Sequence, residues 1–343
     1  MADSRGRVWT GVLRVEPHRG DHRVALRAAV SVAVPLLVLW AVGRLDLSIY
    51  ASFGAFAALY GRHDLFRDRI RMQASAGGVI LASMLVGTAL SVIAAPAAVS
   101  ILVVALIAFA VTLLAYTMRW HPPGPLFPVF AVGACATIPA TVASFGDVLV
   151  VGGPSVLFGL AVTALIGVLT RSTKAVAPKP PQPVGPIAWE MAASVAIAIA
   201  GAGVAGLLIM DSHWYWAAVG AVAAVSGPQL NARVIRGVQR LIGTLLGVLV
   251  AAGVLALDLP PLAVIALVVV LQASAELFVG RNYGIAMVFI TPLALLMVHL
   301  AAPTPVDVLL QDRAIETVIG VAVGTLVAVA SAALRRRQIT KRA

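Results

Sequence analysis

Read for its hydrophobic pattern, the chain is a series of long apolar runs separated by short polar or proline-containing breaks. In the first half the runs fall at about 24–43, 45–61, 74–94, 97–118, 125–145 and 148–170. A helix needs roughly 20 apolar residues to cross a hydrocarbon layer, and only 45–61 is clearly short of that. The stretch 174–186 then carries Pro178, Pro180, Pro181, Pro183 and Pro186. Prolines at that density hold the backbone extended, so the stretch reads as a linker. Six further runs follow near 188–210, 213–230, 237–257, 260–280, 283–301 and 314–334. The pattern predicts an all-α integral membrane protein of about twelve transmembrane helices, with ten or eleven left open. Its parts are a basic tail (1–23), a first membrane half (24–171), a linker (172–187), a second half (188–334) and a basic tail (335–343).

Composition agrees. Of 343 residues, 61% are apolar and 11% charged, against about 25% charged in soluble domains, which excludes a water-soluble fold. The net charge of +11 would suggest nucleic acid in a soluble protein. Here its distribution decides. With the N-terminus inside and alternating sides, 23 of the 25 Lys and Arg fall on inner segments, leaving only Arg44 and Arg313 outside. The positive-inside rule therefore supports an even number of spans with both ends in the cytoplasm of a bacterial plasma membrane. Trp9, Val12 and Leu13 would share a helical face with Val8, which suits a short helix lying on the inner leaflet; a disordered basic tail fits the same residues equally. The single cysteine, Cys135, excludes an internal disulfide. The first run lacks a cleavage pattern and reads as an uncleaved helix.

The halves match at a constant offset of 165: Asp46/Asp211, Tyr50/Tyr215, Ile70/Ile235, Arg71/Arg236 and Gly78/Gly243. Six spans per half makes this a parallel repeat, and transporters often place their substrate site between such repeats.

Ionisable residues inside spans are costly and mark candidate sites. Glu276 lies about a turn from the inner end of its run, where Arg240, at a helix end of similar depth, would pair with it. Otherwise it is a proton-coupling carboxylate. Arg313 and Glu316, three apart near the outer boundary with Thr317 beside them, form a terminal pair or a place where a carboxylate leaves and a proton enters. His299 is nearby. Thr137-Ile138-Pro139 and Thr291-Pro292 put a proline inside the fifth run of each half, where freed carbonyls need a partner. Gly243/Gly247 and Gly320/Gly324 are GxxxG pairs of close helix packing. Trp214, Tyr215 and Trp216 read as an interfacial belt. No P-loop, His-Glu-x-x-His, Cys-x-x-Cys or Gly-x-Ser-x-Gly motif occurs, so no enzyme, metal or cofactor is expected.

The ordered segments Arg240-Leu-Ile-Gly-Thr-Leu-Leu-Gly247, Asn282-Tyr283 with Phe289-Ile-Thr-Pro292, and Arg313-Ala-Ile-Glu-Thr-Val-Ile-Gly320 resemble the signature of the fusaric acid resistance proteins. That family overlaps the aromatic acid exporters and is also described as an integral membrane bound transporter domain. The resemblance covers roughly residues 190–334; in the first half, Arg240 and Thr244 fall on Ser75 and Val79 at the offset. It implies a secondary exporter of aromatic carboxylic acids driven by the proton gradient. Arg240, Asn282, Tyr283, Thr291, Pro292 and Arg313 are then the candidate substrate-binding residues, and Glu316 and Glu276 the proton-coupling ones. Several Gram-negative relatives work with a periplasmic adaptor and carry a large soluble region, which a linker under 20 residues does not provide. The expected partners are a small organic anion, protons and the lipid bilayer, with no nucleic acid; a homo-oligomer is compatible with this. The alternative is a non-transporting envelope scaffold of the same fold.

Overall fold

Backbone polar groups left bare in hydrocarbon cost several kcal/mol each, so a spanning chain is restricted to helices or closed barrels. The computed structural model describes residues 9–18, 20–62, 64–169, 179–210, 213–227 and 229–342, with side chains as far as Arg335. Among these, every regular element is helical. Beyond a short turn at 9–13 there are twelve helical segments. Nine are long and apolar enough to cross a membrane: α1 (Asp21–Ala41), α3 (Phe66–Val92), α4 (Ala97–Thr117), α6 (Ser144–Leu169), α7 (Pro186–Met210), α9 (Leu230–Leu255), α10 (Pro261–Phe278), α11 (Tyr283–Ala301) and α12 (Val306–Arg342, apolar to Arg335). The other three are apolar but shorter: α2 (Leu45–Leu59), α5 (Leu126–Thr137) and α8 (Tyr215–Val225).

The short helices have local causes. α5 stops at Thr137 because Ile138, extended at ψ 130, precedes Pro139. α8 ends where Ser226 turns extended and Gly227 takes φ 138, a conformation open to glycine alone. α2 starts and finishes in tight 3-10 turns, then Tyr60 is extended and Gly61 has φ 69. The two proline-containing runs are therefore not equivalent breaks. Pro139 lies beyond the end of α5, whereas α11 continues through Pro292.

Pairings in the first half recur in the second. α3 packs on α5 as α9 packs on α11, α2 on α6 as α8 on α12, and α1 on α6 as α7 on α12. Between halves, α1 meets α10 and α4 meets α7, while α2 meets α11 and α5 meets α8. Glycines permit the closest approaches: a Cβ on Gly243 would stand 2.2 Å from the Gly284 carbonyl oxygen, and one on Gly320 would stand 2.3 Å from that of Ala217. The offset of 165 does not carry over to this contact. Gly78 faces open space, and in α3 it is Gly87 that meets α5, at Val132 and Cys135. Asp211 of the offset series lies outside the described residues, as do Val8 and Lys174–Pro178 of the tail and linker.

Loops gather alternately at two ends. At one, Gly61 N donates to His121 O (2.8 Å) and Gln182 N to Thr117 O (3.0 Å), and Arg335 pairs with Glu190 at 2.8 Å. At the other, Arg44 reaches Asp147 at 3.7 Å and Ser91 Oγ donates to Ile138 O at 2.6 Å. The first of these, which holds Arg62, Arg119 and Arg281, is called the basic end below. Residues 12–16 are strapped across it. Val12 O accepts from Gln239 Nε2 (3.0 Å) and Asn282 Nδ2 (2.9 Å), and Glu16 N donates to Arg281 O at 3.0 Å. Val12 is buried against protein while Trp9 and Leu13 stay exposed.

Candidate functional site

The three short helices and α11 converge on the middle of the molecule and enclose a cavity of about 330 Å³, within the roughly 300–1,000 Å³ of small-molecule sites. Most of its wall is apolar or aromatic, with Phe53 and Phe56 from α2, Phe127 and Phe130 from α5, Trp216 from α8 and Met287 from α11. Its charged residues are Arg240 from α9, Arg313 from α12, Arg236, and an Arg62–Glu276 pair at the basic end.

Neither Arg240 nor Arg313 sits at a helix end. α9 starts at Leu230 and α12 at Val306, earlier than their apolar runs, because the first turns of each carry polar side chains that a hydropathy window discounts. Arg240 is thus ten residues into α9 and Arg313 seven into α12, about 15 and 10 Å along their axes. Both are at least 98% buried. Arg240 Nη1 donates to the Tyr283 hydroxyl at 2.8 Å. The Arg313 guanidinium carbon lies 4.1 Å from the centroid of the Trp216 ring, close enough for a cation–π contact. Nε and Nη2 of Arg240, and Nε and Nη1 of Arg313, are buried without a hydrogen-bond partner. No carboxylate of the described residues lies within 4 Å of either guanidinium, and the expected pairs Arg240–Glu276 and Arg313–Glu316 do not form.

Glu276 instead pairs with Arg62 from the α2–α3 loop, whose Nη2 also donates to the Glu276 carbonyl (2.6 Å) and approaches Asp21 at 3.5 Å. This links the two halves at the floor of the cavity. Glu316 is fully buried behind Trp216, its Oε2 accepting from Ala217 N at 3.2 Å, and it does not line the cavity. A carboxylate there satisfies the positive N-terminus of α8. Thr317 Oγ1 donates to Arg313 O at 2.8 Å. Asn282 caps α11 by accepting from Ile285 N (3.0 Å) and gives both amide protons to the strap, at Val12 O and at Arg14 O (3.0 Å). Thr291 faces Gly247, whose Cβ would stand 2.6 Å from its own.

Of the residues singled out in the sequence, the cavity therefore brings together Arg240, Tyr283, Arg313 and Glu276, while Asn282, Thr291, Pro292 and Glu316 stand behind it or beneath it. Trp214, Tyr215 and Trp216 form no interfacial belt: all three are buried, because α8 is packed on every side. Arg62 and the four phenylalanines escaped the sequence reading. Arg62 lies 214 residues from Glu276 and looks like one more topological charge.

The two arginines and the helices that hold them lie in the second half, where the comparison with known families also falls. Residues 197–327 match the family model described as fusaric acid resistance protein-like. The match runs from within α7 to within α12 and takes in Arg240, Tyr283 and Arg313. No curated protein and no solved structure matches the chain.

Proposed function

We propose that the chain is a secondary active exporter of small organic anions, with aromatic carboxylates the best fit to the cavity. The observation that carries this reading is the pair of buried guanidiniums in an aromatic-walled cavity, each with two unbonded nitrogens and no carboxylate of the described residues within 4 Å. An uncompensated charge inside a low-dielectric interior costs several kcal/mol. A carboxylate bound between Arg240 and Arg313 would supply the missing charge and accept from their free N–H groups. The phenylalanines and Trp216 would hold its ring. The recurrence of the same helix pairings in each half supports a parallel two-fold repeat with this site on its axis.

In this reading twelve segments cross or enter a bacterial plasma membrane, and the positive-inside rule makes the basic end cytoplasmic. An inside-negative potential then favours expulsion, since one charge moved through 100 mV is worth about 2.3 kcal/mol, near a 50-fold gradient. Glu276 is the coupling group: a proton arriving on its carboxylate weakens the pair with Arg62 and loosens one half from the other. Glu316 is assigned to holding α8 in place. The test is efflux of labelled benzoate from cells expressing the chain, with and without a protonophore. Protonophore-sensitive efflux that Arg313→Gln abolishes supports the exporter. Folded protein that neither binds nor moves any of a panel of aromatic acids would favour the scaffold alternative.

A further inference from the structure

The central cavity is not the only one. Toward the basic end lies a second, of about 460 Å³, between α3, α4, the α4–α5 turn and the start of α7. Tyr116, Met118 and Met191 contribute apolar wall, and Arg71 and Arg119 stand exposed at its edge. Its acids are already engaged: Asp68 accepts from Lys179 N at 2.9 Å, and Lys179 Nζ lies 3.7 Å from Asp64. The two cavities share two lining residues, Pro123 and Ser226. A Cβ on Gly124 would stand 3.9 Å from Ser226 Oγ. The partition is thus one turn, between α4 and α5, resting on the end of α8.

The other side of the floor is built from the corresponding elements and closed differently. There the α2–α3 loop meets the α10–α11 turn, and a Cβ on Gly280 would stand 3.9 Å from Arg62 Nη2. That contact is backed by the ion pairs of Arg62 with Glu276 and Asp21 and is flanked by the strap of residues 12–16 on Arg281 and Asn282. The Ser226 contact has no charge across it and a cavity on each side.

We propose that the second cavity is a vestibule for an amphipathic organic anion, which reaches the central site by parting Pro123–Gly124 from Ser226 while the Arg62–Glu276 side stays shut. The apolar wall suits a ring or short alkyl group, and Arg71 and Arg119 suit its carboxylate. The identity of the ligand rests on the anion-site reading above; the route does not.

The experiment places a reporter thiol at Ala294, which lines the central cavity, in the full chain carrying Cys135→Ala. Sealed vesicles of known orientation receive a small impermeant thiol reagent from the basic end only. Ser226→Trp is expected to slow labelling at least tenfold, and Gly280→Trp to change it less than twofold. Equal slowing by both, or none by Ser226→Trp, would overturn the route. Should Ser226→Trp fail to fold, the series Ser226→Ala and Ser226→Leu takes its place, with slower labelling expected for the larger side chain and equal rates counting against the route. Benzoate should protect the thiol, and Arg313→Gln should remove that protection. If protection is absent while the plug still slows labelling, the anion reading fails and the route stands.

Discussion

Two kinds of arginine line the same cavity, and they should respond oppositely to substitution. No carboxylate of the described residues lies within 4 Å of the Arg313 guanidinium, so Arg313→Met removes a buried charge without breaking an ion pair. We expect the unliganded protein to melt no lower than the parent, while benzoate affinity by scintillation proximity falls at least tenfold. Arg62 holds Glu276 and Asp21, so Arg62→Met strands buried carboxylate and should destabilise by about 3–5 kcal/mol. Adding Glu276→Met should return most of that loss in the same melts. Asn282→Ala breaks a helix cap and two bonds to the strap. A lost cap typically costs ~1 kcal/mol, and the variant should show faster proteolysis within residues 9–18 by mass spectrometry. The sequence marked Arg240 and Arg313 as candidates but put them at helix ends, so their burial was not legible in it. Nor was the partner of Glu276, because Arg62 on the α2–α3 loop reaches α10 across 214 residues of chain.

The elements were legible wherever hydropathy alone decides them, and each apolar run became a helical segment. Their ends were less so. Polar first turns put the true starts of α9 and α12 seven and eight residues before the runs, moving Arg240 and Arg313 inward. α5 and α8 were cut short by backbone geometry at Ile138–Pro139 and Ser226–Gly227. The glycines separate two meanings that a motif search merges. Gly243→Ala would press a methyl group into the Gly284 carbonyl, so α9 and α11 must part, at a cost of about 1–3 kcal/mol or more. Gly78→Ala meets nothing within 4 Å and should be neutral or stabilising by up to about 1 kcal/mol. Thermal melts followed by gel filtration in detergent would separate the two. A loss of stability in Gly78→Ala would show that α3 has a neighbour on that face.

For the whole molecule, charge distribution carried most of what could be read in advance. It predicted which loops share an end, and the contacts of Gly61 with His121 and of Gln182 with Thr117 gather those loops together. Which two halves of which helices would face each other was not readable, since small apolar residues recur everywhere in such a chain. If export carries one net negative charge, an imposed inside-negative potential of about 100 mV should shift the steady-state benzoate ratio near 50-fold. Potassium–valinomycin gradients in proteoliposomes measure this; a ratio indifferent to potential would mean that the carboxylate leaves together with a proton or in exchange for another monoanion, whereas exchange for an entering proton moves two charges.

The strap also orders events during synthesis. Val12 binds Asn282, which follows it by 270 residues. At translation rates of roughly 5–20 residues per second, the segment waits on the order of tens of seconds before its landing place exists. Gln239, Arg281 and Asn282 come together only once α9 and α11 are both inserted and paired. Laying down the strap is therefore among the last steps of assembly, and it marks a finished molecule. A nascent or misassembled chain leaves this segment loose, and a completed one holds it by its backbone, with Val12 buried beneath it.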